Sequence, residues 1–204
     1  MDLVTEAEKQ AQRAERLDAF GGINVLHIKR QISYLLGLIG REGIFDQYTI
    51  HDISHIDNML KIAEWLIPDE TKLIMSPADW LFFVLSVYFH DVGMLVTRQE
   101  FEERDSSGFL QYRDQELFGG EKGEDYKDRV KELGYDDMER FLYQEFVRAT
   151  HAQRVRNWIM GRAPEHLGIN HKTMSEIDTL MSPLHSQCRR DLGLICESHH
   201  LDDL

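Results

Sequence analysis

Val87-Tyr88-Phe89-His90-Asp91-Val92-Gly93-Met94 closes an almost wholly apolar run that begins at Trp80. A run of that kind belongs inside a protein. An imidazole and a carboxylate at its end are costly to bury unless they are paired or hold a metal. The stretch therefore reads as a core helix that delivers two metal-ligating groups to an interior site. Adjacent residues on a regular helix point about 100° apart. His90 and Asp91 converge only if the helix opens in its last turn, which Gly93 is expected to allow.

The flanking sequence agrees with a helical core. Of 204 residues, 42% are apolar and only 4 are proline. A single domain of this length buries about 70% of its unfolded surface. Asp2 to Asp18 reads as a polar helix ended by Gly21-Gly22. Asn24 to Ile39 has apolar residues at helical spacing, and so does Ile53 to Leu66, which Pro68 closes. Ser76-Pro77-Ala78-Asp79 is a capped start for the helix that runs to about His90. Asp136 to Met160 is the longest helix, with Asp136 as a candidate cap and Gly161 as the stop. Asn170 to Leu180 and Ser182 to about His199 follow. No alternating run suggests a strand of consequence, and the predicted class is all-α. Trp65, Trp80 and Trp158, at helical positions with apolar neighbours, are expected in the core.

Thr97 to Glu145 differs in character. It holds 15 acidic and 8 basic residues and five glycines. It reads as an acidic insertion of short helices and loops, either a lid over the site or a solvated excursion.

The formal net charge of −13 argues against nucleic-acid and anionic-lipid partners, since such a surface repels phosphate backbones. A small anionic substrate remains compatible where a metal reverses the local sign. Cys188 and Cys196 are too few for a disulfide framework and read as free or buried thiols of a reducing compartment. Met1 to Arg16 contains no apolar signal core, and no run of 18 apolar residues occurs. The expectation is a soluble cytoplasmic protein. Neither a Gly-x-Ser-x-Gly elbow nor a phosphate-binding Gly-rich loop is present.

Ten histidines are placed tellingly. His51 and His55 are four apart, on one face if both are helical. His55 has Met59 and Ala63 on later turns, which points it at the core. His151 lies mid-helix between Arg148 and Arg154, and His199-His200 closes the last helix. With Asp91, these positions offer a nitrogen-and-carboxylate set from four elements. That set suits one or two divalent transition metals (Mn, Fe, Co, Ni or Zn) better than Mg.

The order His, His-Asp, His, His resembles the HD superfamily of metal-dependent phosphohydrolases. The matching strings are Ser54-His55-Ile56-Asp57-Asn58-Met59, Phe89-His90-Asp91-Val92-Gly93-Met94, Thr150-His151-Ala152-Gln153-Arg154-Val155 and Ile195-Cys196-Glu197-Ser198-His199-His200. The resemblance runs from about Ile50 to Asp203 and implies an HD-domain-like helical bundle, here interrupted by the acidic insertion at 97–145. It implies that His55, His90 and Asp91 hold a first metal, with Asp91 bridging where two are present. His151 and His199 are then ligands of the second metal, His200 being the lesser choice. The His199-His200 doublet is similar to that of cyclic-dinucleotide-hydrolysing members. His51 becomes an outer-sphere or substrate-facing residue, grouped with Asp91 as a catalytic candidate.

Hydrolysis of a phosphate ester in a small nucleotide or cyclic nucleotide is the activity so implied. Arg148 and Arg154 are candidate phosphate contacts, a solvated face being the plainer role for each. One element of the pattern is missing. The family closes its site with an aspartate tens of residues past the fourth histidine, and Asp202 and Asp203 follow His199 too closely. The chain is therefore expected to be the front part of a longer protein with a further C-terminal domain. The alternative is a catalytically incomplete module that senses a nucleotide or a partner domain. A di-iron oxygenase is the weakest reading, and an oligomer is left open.

Overall fold

A computed structural model describes residues 2–39, 53–120, 122–168 and 170–198. All regular structure among them is helical. The helices are α1 (Glu6–Gln12), α2 (Val25–Leu36), α3 (Ile53–Leu66), α4 (Asp69–Ile74), α5 (Pro77–Phe89), α6 (Arg98–Glu102), α7 (Phe109–Phe118), α8 (Glu124–Glu132), α9 (Tyr135–Ile159), α10 (His171–Met181) and α11 (Ser186–Ser198). No helix of the described residues is long and apolar enough to cross a membrane.

α5 is the axis of the bundle. It is apolar on nearly every side, and Trp80, Leu81, Val84, Leu85, Tyr88 and Phe89 are buried. A helix of that composition is stable only when surrounded, and α1, α2, α3 and α11 pack around it. Full burial of each large side chain stabilises the fold by about 1.5–3 kcal/mol. The start is as expected. The Ser76 hydroxyl accepts from Asp79 N, while the Asp79 carboxylate accepts from Ser76 N at 2.8 Å. Such a cap is worth about 1 kcal/mol.

The amino-terminal helix is shorter and less polar in its packing than its composition suggests. α1 spans seven residues and gives way to 3₁₀ turns at Arg13–Arg16 and Asp18–Phe20. Ala7, Ala11 and Ala14, at i, i+4 and i+7, are fully buried. Their small side chains let α1 lie close on α5.

Three further boundaries and one tryptophan depart from expectation. Gly134, not Asp136, caps α9, and Asp136 sits in the first turn. Ser182 ends α10, its hydroxyl donating to Thr179 O, and α11 begins only at Ser186. α3 carries two apolar stripes. Ile56 and Leu60 face the core, whereas Ile62 and Leu66 face outward with Trp65, which is 81% exposed. Trp80 and Trp158 are buried as expected.

The acidic segment is more than a solvated excursion. Phe109, Leu117 and Val130 join Leu142, Tyr143, Phe146 and Val147 of α9, with Met94 and Val96, in a second apolar core. Phe109, Tyr143 and Phe146 meet edge-on or tilted at ring separations of 5.2–6.0 Å. α9 starts at Tyr135, within the 97–145 segment. Val155, Trp158 and Ile159, further along α9, belong to the main core.

Candidate metal centre

α5 ends at Phe89. His90 is its C-cap, Asp91 has φ −97° and ψ −4°, and Val92–Met94 form a 3₁₀ turn. This tightening brings the two adjacent side chains onto one side. His90 Nε2 lies 2.7 Å from Asp91 Oδ2. Gly93 contributes by lacking a Cβ rather than by its dihedral freedom. Its φ is not positive, but the turn is pressed against the main chain of His151.

His55, from the first turns of α3, completes the cluster. Its Nε2 is 3.7 Å from Asp91 Oδ2, and its ring centroid is 5.7 Å from that of His90. One donor atom from each of His55, His90 and Asp91 lies within 4.8 Å of the other two. His55 is half exposed and the other two are largely covered, so the cluster opens on the side of α3.

The hydrogen bonding suits a cation. His90 Nδ1 is 2.8 Å from Val87 O. A carbonyl can only accept, so Nδ1 carries the proton and Nε2 turns its lone pair toward the Asp91 carboxylate. Two acceptors at 2.7 Å need a positive charge between them, either a proton or a metal. Burial alone lowers the pKa of His90, but the hydrogen bond and charge of Asp91 and the Val87 carbonyl outweigh it, and the net shift is upward. Orientation of a ligand imidazole by a carbonyl on its other nitrogen is the common second-sphere arrangement of metal sites.

His151 uses the same device. Its Nδ1 is 2.6 Å from Arg148 O, three residues back. It is buried on α9, and its main chain meets Gly93, but its ring is not a member of the three-residue cluster. His51, His199 and His200 lie outside the described residues. On its other side His90 borders an apolar cavity of about 190 Å³, lined also by Met59, Ser86, Val87, Ile195 and Cys196. Burial pushes the Cys196 thiol up to about 12, so the free thiol stays protonated.

The two arginines separate. Arg148 is half exposed and pairs with Glu145 at 3.0 Å. Arg154 is 1% exposed, and its guanidinium is held inside the protein. One Nη donates to Glu100 and to Leu167 O, and the other donates to Leu95 O at 3.0 Å. Its partner Glu100, on α6, also accepts from Tyr143 at 3.3 Å. Arg154 thus ties the acidic segment and the turn after Asp91 to α9.

A buried charge cluster behind the site escapes a motif search. Lys29, Glu8, Asp57 and Tyr88 meet from four helices. The signal for it is present in α2. Lys29 occupies a position of the stripe Val25, Ile28, Ile32, Leu35, Leu36 that should be apolar, and only a partner inside the core permits that.

No curated protein sequence and no solved structure is significantly similar to this chain. A family model does match. HD-CE covers residues 45–204, and that region contains His55, His90, Asp91 and His151. The chain belongs to the HD-CE family.

Proposed function

We propose that this protein is a metal-dependent phosphohydrolase that cleaves a phosphate mono- or diester in a small nucleotide or cyclic nucleotide. The observation that carries the proposal is the convergence of His55 Nε2, His90 Nε2 and an Asp91 oxygen. The donor set fits a borderline divalent ion such as Mn, Fe, Co, Ni or Zn. A bound ion of this kind supplies Lewis-acid polarisation of a phosphoryl oxygen and a water of lowered pKa.

The chain's own residues do the rest. Val87 O holds the His90 ring so that Nε2 faces the site. Asp91 brings the negative charge that offsets that of the ion. Arg148, half exposed on α9, can leave Glu145 for a phosphate oxygen. His151, His199 and His200 are proposed to extend the ligand set toward a second ion, and His51 to face the substrate. The acidic surface elsewhere disfavours polymeric phosphates, which leaves small esters.

The test is metal content by elemental analysis on wild type and His90→Ala, followed by a hydrolysis screen of nucleotides and cyclic nucleotides with the loaded protein. One or two transition-metal ions per chain, lost in the variant, with metal-dependent release of product, is the expected result. No metal in either protein after anaerobic loading with Mn or Fe overturns it. Metal and nucleotide binding without product selects the sensing module instead.

A further inference from the structure

Lys29 sits in the middle of α2 with its side chain enclosed. Its ammonium has three hydrogens and three acceptors: Asp57 Oδ1 at 2.6 Å, Glu8 Oε1 at 2.7 Å and Asp2 O at 3.2 Å. The same Glu8 oxygen accepts from the Tyr88 hydroxyl at 2.6 Å. The other Glu8 oxygen accepts from Val4 N and Thr5 N at 2.7 and 2.9 Å. The Lys29 ammonium and both Glu8 oxygens are thereby matched, and α1, α2, α3 and α5 meet at one point.

Two of these helices carry the metal ligands, at a fixed offset. Asp57 is two residues after His55, and Tyr88 is two residues before His90. Residues two apart on a helix point about 200° from each other. The cluster therefore grips each helix on the face opposite its ligand, which is where a grip controls rotation. A turn of 20° about the axis moves a side-chain tip by roughly 2 Å. The 3.7 Å separation between His55 and Asp91 would not survive such a shift in α3. Ala7 N also donates to Glu64, further along α3, so α1 holds that helix at two levels.

We infer that Lys29 is a positioning residue of the metal centre. Together with Glu8 it fixes the rotation of α3 and α5 from a segment that precedes the HD-CE match. The inference rests on the metal-site reading above.

Lys29→Met keeps the length of the stem and removes the charge. The comparison variant is Ile177→Ala, a cavity in α10 far from the cluster in sequence, with temperature chosen so that both are equally folded. Two quantities are read on the full chain: affinity for Co(II) together with its visible spectrum, and the ring carbon-13 shifts of His55 and His90 in metal-free protein. We expect Lys29→Met to lose at least tenfold in Co(II) affinity, to change the spectrum and to move both ring signals. Ile177→Ala should leave all three in place. Wild-type affinity and ring shifts in folded Lys29→Met, or equal losses in Ile177→Ala, overturn the inference. If Lys29→Met does not fold, Asp57→Asn removes a single strut and is read against the same criteria. Should wild type take no metal, the metal-site reading fails, while the ring shifts still decide whether Lys29 sets the two helices.

Discussion

Gly93 and His151 touch through their main chains: a Cβ built on Gly93 would lie 2.0 Å from the His151 carbonyl oxygen and 3.0 Å from its Cα. No side chain fits there, and the obstacle is backbone that cannot rotate away. The contact joins the turn that carries Asp91 to the helix that carries His151. Gly93→Ala is expected to destabilise the fold by at least about 2 kcal/mol, as overpacking of a rigid site does, and to weaken metal binding. Urea unfolding beside metal titration checks it. Unchanged values for both would mean that α9 can retreat from the turn.

Asp91→Asn keeps the shape of the side chain and removes its charge. His90 then faces a neutral amide, and the main cause of its raised pKa is gone. Metal affinity should fall by at least a hundredfold while the melting temperature changes by only a few degrees. Isothermal titration with Mn or Zn reads the first and calorimetry the second. An affinity within threefold of wild type would remove Asp91 from the ligand set.

Arg154 and Glu100 form an enclosed pair. Removing one partner leaves a buried charge, at a cost of about 3–5 kcal/mol. Arg154→Met and Glu100→Gln should each be severely destabilised, and the double variant less so than their sum. Arg148→Ala should be within about 0.5 kcal/mol of wild type, because its pair is half exposed. Additive losses in the Arg154 and Glu100 cycle would show that the two do not interact.

Glu8 links stability to pH. Burial would raise its pKa, but Lys29, Tyr88 and the Thr5 amide outweigh it and hold the carboxyl below its ordinary value. A group depressed in the folded state contributes fully above its unfolded pKa, and the contribution is lost as pH falls through the folded value. Wild type should therefore lose stability from about pH 5 downward more steeply than Glu8→Gln. Denaturant midpoints across that range decide it, and parallel curves would exclude Glu8 as a source of acid lability.

Trp65 and Trp158 should respond oppositely to truncation. Trp158 is 1% exposed and stacks under the Arg154 guanidinium at 5.0 Å. Its replacement by Ala is expected to cost about 3–5 kcal/mol. Trp65→Ala should be close to neutral and should remove the most quenchable part of the tryptophan fluorescence. Similar melting curves for the two variants would contradict this.

Local signals in the sequence translated well where they were chemical. The Ser76 and Asp79 box follows from side chains that act on neighbouring backbone. The convergence of His90 and Asp91 was legible because an apolar run led into them. Trp65 lies outside the core, which periodicity could not show, because it reveals apolar stripes without saying which one is buried, and α3 has two. Arg154 lay beyond local reading, since its partner Glu100 is 54 residues away. The acidic segment hid its second core because Phe109, Leu117 and Val130 are spread thinly among charges and find their partners only on α9.

α9, about 37 Å long, threads both cores, and His151 sits at the joint between Val147 in one and Val155 in the other. Neither half can fray while the other stays docked without slackening the turn that bears His151. Solvent exchange along this helix should accordingly show one common opening event instead of a gradient from its start. A disturbance of the second core would then reach His151 as a change in how often that single event occurs.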